Sequence, residues 1–276
     1  MLSKEEIIKY QKIFFNIWPP KHYFFLNGWI LTFTGGNTGR SNSVLAVKYT
    51  GINLEKDIDF VESAYRKYNL PARFKLSSYF YPSELEEKLR NRGYMYSDYS
   101  INTMGLEIQE LQTKLNEEIV YEVTEEQSSE FSEFLTTFSS NYTEDQNIML
   151  EVTQRIKIPK KRFILAKKEN SIVGSVMAIL DPQGYLYIAE LFIHPDHRRQ
   201  KIGFSLLTEA IEWGRNHGAT ICWLHVEKEN RKAIVLYEKL GFQYWYSYKY
   251  LMKQYGKNHN QKEEGEVSYL RKNHDI

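Results

Sequence analysis

Residues Tyr185–Leu207 read YLYIAELFIHPDHRRQKIGFSLL. Tyr185–Ile193 is an apolar run of strand length, closed by His194-Pro195-Asp196. The basic loop Arg198-Arg199-Gln200-Lys201 follows. It opens into a helix with Gly203 in its first turn and Leu206, Leu207, Ala210 and Ile211 on one face. That order makes an anion site. The first helical N–H groups have no partner inside the helix, the helix dipole adds partial positive charge there, and glycine lets the backbone approach the ligand. Arg198, Arg199 and Lys201 add full charges, which suits a pyrophosphate better than a single carboxylate.

Working outward, Gly218 is a C-terminal stop for this helix, and Thr220–Val226 reads as a buried strand. Asn230 has the chemistry of an N-cap for a helix over Arg231–Leu240, with Ala233, Leu236, Tyr237 and Leu240 as its apolar stripe. Phe242–Met252 alternates as one or two strands. Upstream, Arg162–Lys167 and Ile172–Leu180 read as strands joined by Lys168-Glu169-Asn170-Ser171, and Glu118–Val123 as another. Helical spacing covers Glu125–Ser139 and Thr143–Lys157.

The first half contains an echo of this pattern. A strand-like Phe74–Ser78 precedes a helix opening at Pro82 and closing at Gly93-Tyr94, as Asn230 and Gly241-Phe242 bracket theirs. Tyr-rich segments follow both, and Leu54–Lys67 is a counterpart of the helix after Gly203. A diverged duplication accounts for the echo, and so does recurrence of a common strand–helix unit. Thr32–Val44, TFTGGNTGRSNSV, reads as a hairpin. Its Gly-rich stretch lacks the glycine spacing of a phosphate loop and has Arg40 in place of lysine, so a turn between strands is expected. The expected division is 1–115, 116–253 and a polar tail 254–276, with the joint near Glu110–Glu118.

The chain has 276 residues, 42% hydrophobic, enough to bury a sizeable core. A net charge of +1 gives no field for a nucleic-acid duplex, and no nucleic-acid partner is expected. No segment approaches the apolar length of a membrane span, so no membrane partner is expected either. Cys222 is the only cysteine, and Met1–Glu6 lacks the apolar run of a signal peptide; a cytoplasmic setting is the expectation.

Arg198-Arg199-Gln200-Lys201-Ile202-Gly203 resembles the coenzyme A signature of the GNAT superfamily of N-acetyltransferases, Arg/Gln-x-x-Gly-x-Gly/Ala, with Lys201 in place of the middle glycine. Asn230–Phe242, NRKAIVLYEKLGF, is similar to the superfamily's N-x-x-A-x-x-x-Y-E-x-x-G-F run. The resemblance covers roughly residues 118–252, and Thr32–Val44 is similar to the opening segment of some two-part members. It implies a mixed α/β fold, mostly antiparallel, with helices flanking the central sheet, here a tandem of a degenerate and an intact unit. It implies acetyl-CoA as acetyl donor, an amine acceptor, no metal, and a monomer or homodimer.

The resemblance also implies residue roles. Arg198, Arg199, Gln200, Lys201, Ile202, Gly203 and Phe204 surround the pyrophosphate, Asn230 adds a hydrogen bond, and the main chain of Leu191, Phe192 and Ile193 holds the pantetheine arm and the oxyanion. Tyr237 falls at the general acid. A phenol titrating at about 10 stays protonated beside a thiol at about 8.5. His225 and Glu190 are both candidates for the base, with solvent as a third. In the first half Leu89 occupies the position of Tyr237, and no Arg-x-x-Gly-x-Gly loop precedes Leu54–Lys67, so that half is expected to lack a cofactor site and to wall the acceptor pocket. Two other readings stay open: transfer of a longer acyl group, and an acyl-CoA-binding module without turnover.

Overall fold

The computed structural model describes residues 2–36, 38–108, 118–138 and 146–254. The elements in chain order are α1 (Lys4–Ile17), β1 (His22–Leu26), β2 (Trp29–Phe33), β3 (Val44–Leu45), α2 (Leu54–Lys67), β4 (Ala72–Ser77), α3 (Leu85–Asn91) and β5 (Met95–Glu107). The second half adds β6 (Val120–Thr124), α4 (Ser129–Phe138), α5 (Gln146–Arg155), β7 (Lys160–Lys168), β8 (Ser171–Leu180), β9 (Tyr185–Ile193), α6 (Ile202–Asn216), β10 (Ile221–Glu227), α7 (Arg231–Lys239) and β11 (Gln243–Lys253). Most of the expected joint, and the tail from residue 255 on, lie outside the described residues.

The strands of the described residues join one 11-stranded sheet in the order β1-β2-β3-β4-β11-β5-β10-β9-β8-β7-β6. Its neighbours pair antiparallel except at β3·β4 and β9·β10. The two halves repeat one path. In each, an antiparallel pair (β2·β3, β8·β9) leads through a helix to a parallel partner (β4, β10), then through a short helix to a long final strand (β5, β11). The final strands are exchanged. β5 of the first half pairs with β10 from Ile221↔Glu107 to Glu227↔Ile101, and β11 of the second half pairs with β4 from Tyr248↔Ser77 to Lys253↔Ala72. β5 and β11 pair with each other at the centre, so the echo in the sequence has a structural counterpart.

Local chemistry accounts for the elements. Ser3 and Glu6 form a reciprocal capping box at α1, which the sequence reading did not assign as a helix. Glu169 and Asn170, both at positive φ, make the tight turn between β7 and β8. Two expectations shift. The helix expected from Pro82 begins at Leu85, because Pro82 only supplies the carbonyl of a preceding turn. Of the one or two strands expected over Phe242–Met252, the chain forms one, Gln243–Lys253. The hairpin over Thr32–Val44 is also wider than expected: its strands pair at Ile30↔Leu45 and Leu31↔Val44, leaving a long loop between them.

Three apolar clusters fill the molecule. α6 and α7 cover one face of β8–β10, where Leu206, Leu207, Ala210 and Ile211 are buried; each Leu or Ile so placed contributes about 1.5–3 kcal/mol. α2 and α3 cover β2–β4. α1, α4 and α5 cover another surface of the sheet, where α1 of the first half packs Tyr10 and Phe14 onto Tyr187 and Trp223 of the second.

Candidate active site

β9 and β10 run side by side only from Ile221↔Tyr185 to Leu224↔Ile188. Beyond that point β9 pairs with β8 alone and β10 with β5 alone, so the two parallel strands part. The cause is local. Glu190 has a φ of 53°, and the β8·β9 register shifts between Ser175↔Phe192 and Met177↔Ala189. This bulge turns β9 away from β10 and re-aims Glu190. Ser175 Oγ donates to the Glu190 carbonyl at 3.1 Å and fixes the bulge.

The edge of β9 that faces the gap, Leu191–Ile193, has no strand beside it among the described residues and can accept an extended ligand by main-chain pairing. α6 starts at the same end. Its N-cap, Lys201, makes no side-chain capping bond, so the first amides, Ile202, Gly203 and Phe204, are turned toward the gap without a cap. Lys201 is left-handed (φ 62°, ψ 9°), and Arg199 is also at positive φ. A left-handed position is why glycine suits that place in the signature. The Lys201 side chain is exposed. A Cβ on Gly203 would lie 3.2 Å from Leu236 Cδ2 and 3.5 Å from Ile193 Cγ1, so this glycine brings α6, α7 and β9 together. Arg198 Nε donates to the Ile193 carbonyl at 3.3 Å and ties the loop to β9. Gln200 Nε2 donates to the Asp196 carbonyl. Arg199 is exposed.

Asn230 Oδ1 accepts from Ala233 N at 3.1 Å and caps α7. Tyr237, on α7, is 6% exposed and packs on Phe242. Its hydroxyl has no hydrogen-bond partner among the described residues and keeps some surface. Burial holds its pKa above the ordinary phenol value, so the proton stays on at neutral pH.

On the opposite surface of the sheet stand His225 and Glu190, from the two sides of the gap. His225 lies among Phe14, Tyr187, Trp223 and Tyr248, with Nδ1 3.4 Å from the Tyr187 hydroxyl. Burial first, then Lys75 and Arg40, push its pKa well below the usual imidazole value, and Nε2 is sealed without a partner. Glu190 Oε1 lies 3.9 Å from Arg40 Nη1, and its side chain is 9% exposed.

Arg40 is a residue that sequence reasoning missed. It comes from the Gly-rich loop of the first half and stacks over Trp18, 5.3 Å from the ring centroid. Asn42, fully buried, shapes that loop: its Oδ1 accepts from Thr34 N and Gly35 N, and its Nδ2 donates to the carbonyls of Gly35 and Thr38. In the first half, Asn53 caps α2 by accepting from Lys56 N, and Leu89 is buried where α7 has Tyr237. That half thus shows neither an uncapped helix start at α2 nor a placed phenol. Among the described residues there is no group of acidic, His and Cys side chains arranged to hold a metal, and no helix is long and apolar enough to cross a membrane.

Residues 120–242 match the acetyltransferase (GNAT) family model. Over 86% of its length the chain is 25% identical to the uncharacterized N-acetyltransferase YobR of Bacillus subtilis (strain 168), covering 95% of that protein. Two solved structures share the fold. A GCN5-related N-acetyltransferase from Kribbella flavida superposes with a TM-score of 0.64 at 14% identity, covering 91% of this chain and 95% of that one. A tandem GNAT protein from the clavulanic acid biosynthesis pathway gives 0.61 at 11% identity, covering 90% and 88%.

Proposed function

Residues 120–242 are a GNAT acetyltransferase domain, and from that premise we propose that the chain moves an acetyl group from acetyl-CoA to a primary amine by direct attack. The observation that carries the reading is the parting of β9 and β10 at Ile188/Leu224, with the uncapped start of α6 at its mouth. The residues fit the donor. The amides of Ile202, Gly203 and Phe204, with Arg199 and Lys201 nearby, suit the pyrophosphate, and the free edge of Leu191–Ile193 suits the pantetheine arm. Asn230 serves as the cap of α7 and borders the same end.

In the transfer, the amine nitrogen bonds to the thioester carbonyl carbon, the carbon–sulfur bond breaks, and the nitrogen loses a proton. Tyr237 holds a proton for the departing sulfur, and among the described residues its hydroxyl has no competing partner. Glu190 is the better base, because it stands at the bulge where β9 leaves β10 while His225 Nε2 is sealed. Its proton transfer runs through a water. His225 then serves as a neutral wall of the acceptor pocket.

The first half, 1–115, contributes that pocket and no second donor site, with the transferase unit at 116–253. The single buried thiol, Cys222, accords with a reducing cytoplasm. Calorimetry with acetyl-CoA, followed by thioester loss across a panel of amines, tests the reading. One donor per chain and amine-dependent turnover are expected. Saturable binding without turnover for any amine, and no effect of Tyr237→Phe, would leave a binding module instead.

A further inference from the structure

β4 puts its apolar residues Ala72, Phe74 and Leu76 toward α2 and α3. The alternate residues, Arg73, Lys75 and Ser77, face the surface covered by α1, and all three are buried. A strand of the first half thus turns cations into the space beside the active site.

Lys75 has no counterpart in the reaction described above. It is 7% exposed, with its ammonium 3.9 Å from the centroid of the Tyr248 ring and 5.2 Å from that of Phe14. Both rings also contact His225, at centroid distances of 5.3 and 4.7 Å. Among the described residues Lys75 makes no hydrogen bond and no ion pair, yet its nitrogen is not sealed from solvent. A buried ammonium without a hydrogen-bond acceptor is costly, and two aromatic faces only partly compensate it. Arg40 lies close enough to repel it, and the Glu190 carboxylate lies on the Arg40 side. Among the described residues Lys75 has no anionic partner.

We propose that Lys75, with Arg40, forms an anion-recognition end of the acceptor pocket, so that the acceptor is an amine that also carries a carboxylate. The proposal rests on the acetyl-transfer reading for the amine, while the anion subsite stands on Lys75 itself. Its amine lies toward Glu190 and the β9/β10 gap, and its carboxylate toward Lys75. Small amino acids and related amino carboxylates have this shape. Burial and the nearby Arg40 pull the Lys75 pKa down to about 7, so an arriving carboxylate draws a proton onto the amine. The other groups facing this space are Arg73, Tyr248 and His225. His225 is held neutral and Tyr248 is held well above the ordinary phenol value, which leaves Lys75 to take up the proton.

The test uses the full chain in two arms. In the binding arm, N-acetyl amino acids with small, aliphatic, aromatic and acidic side chains are compared with their carboxamides by calorimetry at pH 8, in two buffers of different ionisation enthalpy. These probes have no amine to titrate and need no turnover. The carboxylates should bind on the order of 10- to 100-fold more tightly than the amides and take up a proton. In Lys75→Met, which keeps the stem, both the preference and the proton uptake should vanish. Circular dichroism and acetyl-CoA binding check that the variant is folded. Equal binding of acids and amides by the wild type, or a preference that survives in Lys75→Met, overturns the proposal.

In the turnover arm, amino acids are compared with their decarboxylated amines, and β-alanine with phosphoethanolamine. A higher kcat/KM for the carboxylate-bearing partner is expected in each pair. Preference for the phosphate, or for the plain amines, overturns the carboxylate assignment. If no amine is acetylated at all, the transfer reading falls and the binding arm still decides the role of Lys75.

Discussion

The Arg40 guanidinium stands 3.9 Å from the Glu190 carboxylate, joining a loop of the first half to the bulge that opens the second. The contact is too long for a strong hydrogen bond, and Arg40 is 37% exposed, so its electrostatic worth is about 1 kcal/mol or less. Its importance is positional. Arg40→Met should lower kcat/KM for the acceptor several-fold and leave the acetyl-CoA dissociation constant unchanged. Steady-state kinetics beside calorimetry checks this; loss of donor binding would move Arg40 to the donor site.

The loop that delivers Arg40 can be shifted without touching a charge. A Cβ on Gly39 would lie 2.9 Å from Tyr250 Cζ, within the ring rather than at a flexible tip. Gly39→Val should therefore displace the loop and reproduce the acceptor defect of Arg40→Met, again with donor binding intact. Wild-type acceptor kinetics in Gly39→Val would show that the loop position does not matter.

Tyr237→Phe removes one oxygen that has no hydrogen-bond partner among the described residues, so stability should change by about 0.5 kcal/mol or less. If the hydroxyl protonates the leaving sulfur, kcat falls on the order of 100-fold or more, with acetyl-CoA affinity preserved. Because burial raises this phenol above its ordinary value, the wild-type rate should show no loss from tyrosine ionisation between pH 7 and about 10. A Tyr237→Phe enzyme with wild-type kcat assigns the proton to solvent.

Lys201 occupies a left-handed conformation at a cost of about 1 kcal/mol or more for a side chain with a Cβ. Lys201→Gly should raise the unfolding free energy by roughly 1 kcal/mol, partly offset by the greater entropy of unfolded glycine. Acetyl-CoA binding should be retained, since the backbone amide survives. Lys201→Val should be less stable than either. Denaturant titration of the three proteins orders them, and a wild type more stable than Lys201→Gly would point to a favourable contact of the lysine.

Tyr65, Tyr187, Tyr237, Tyr246 and Tyr250 are buried and hold their protons above the ordinary phenol range. In the unfolded chain they titrate near about 10. Their contribution is fully present below that pH. It declines as pH rises above it, because the unfolded state then releases protons that the folded state keeps. The unfolding free energy should fall above about pH 10, by at most about 1.4 kcal/mol per pH unit for each tyrosine, and the melting temperature with it. Scans between pH 8 and 11 that show no such fall would contradict the burial of these hydroxyls.

The sequence made the second half legible because its signals are local. β9 spans Tyr185–Ile193 and Asn230 caps α7, as their residues had indicated, and in the first half the same holds of α2 over Leu54–Lys67. The gap itself was not legible, because it depends on a bulge at Glu190, which no periodicity marks. Helix α1 was missed although Ser3 and Glu6 carry a capping signature. The strand exchange was hidden for another reason: Met95–Glu107 and Gln243–Lys253 announce strands, but which neighbour each takes is decided by contacts far apart in sequence. Arg40 sat in a stretch that reads as a turn, and Lys75 in one that reads as a plain strand. Their shared role exists only once two distant halves close on each other.

The crossed final strands also set a timetable. A ribosome finishes β5 long before β10 exists, and β4 gains its neighbour β11 only when nearly the whole described chain has been made. Until then the newborn first half exposes open strand edges and cannot close its sheet by itself. Two nascent chains at this stage offer each other the same open edges, so pairing between chains competes with waiting for β10 and β11.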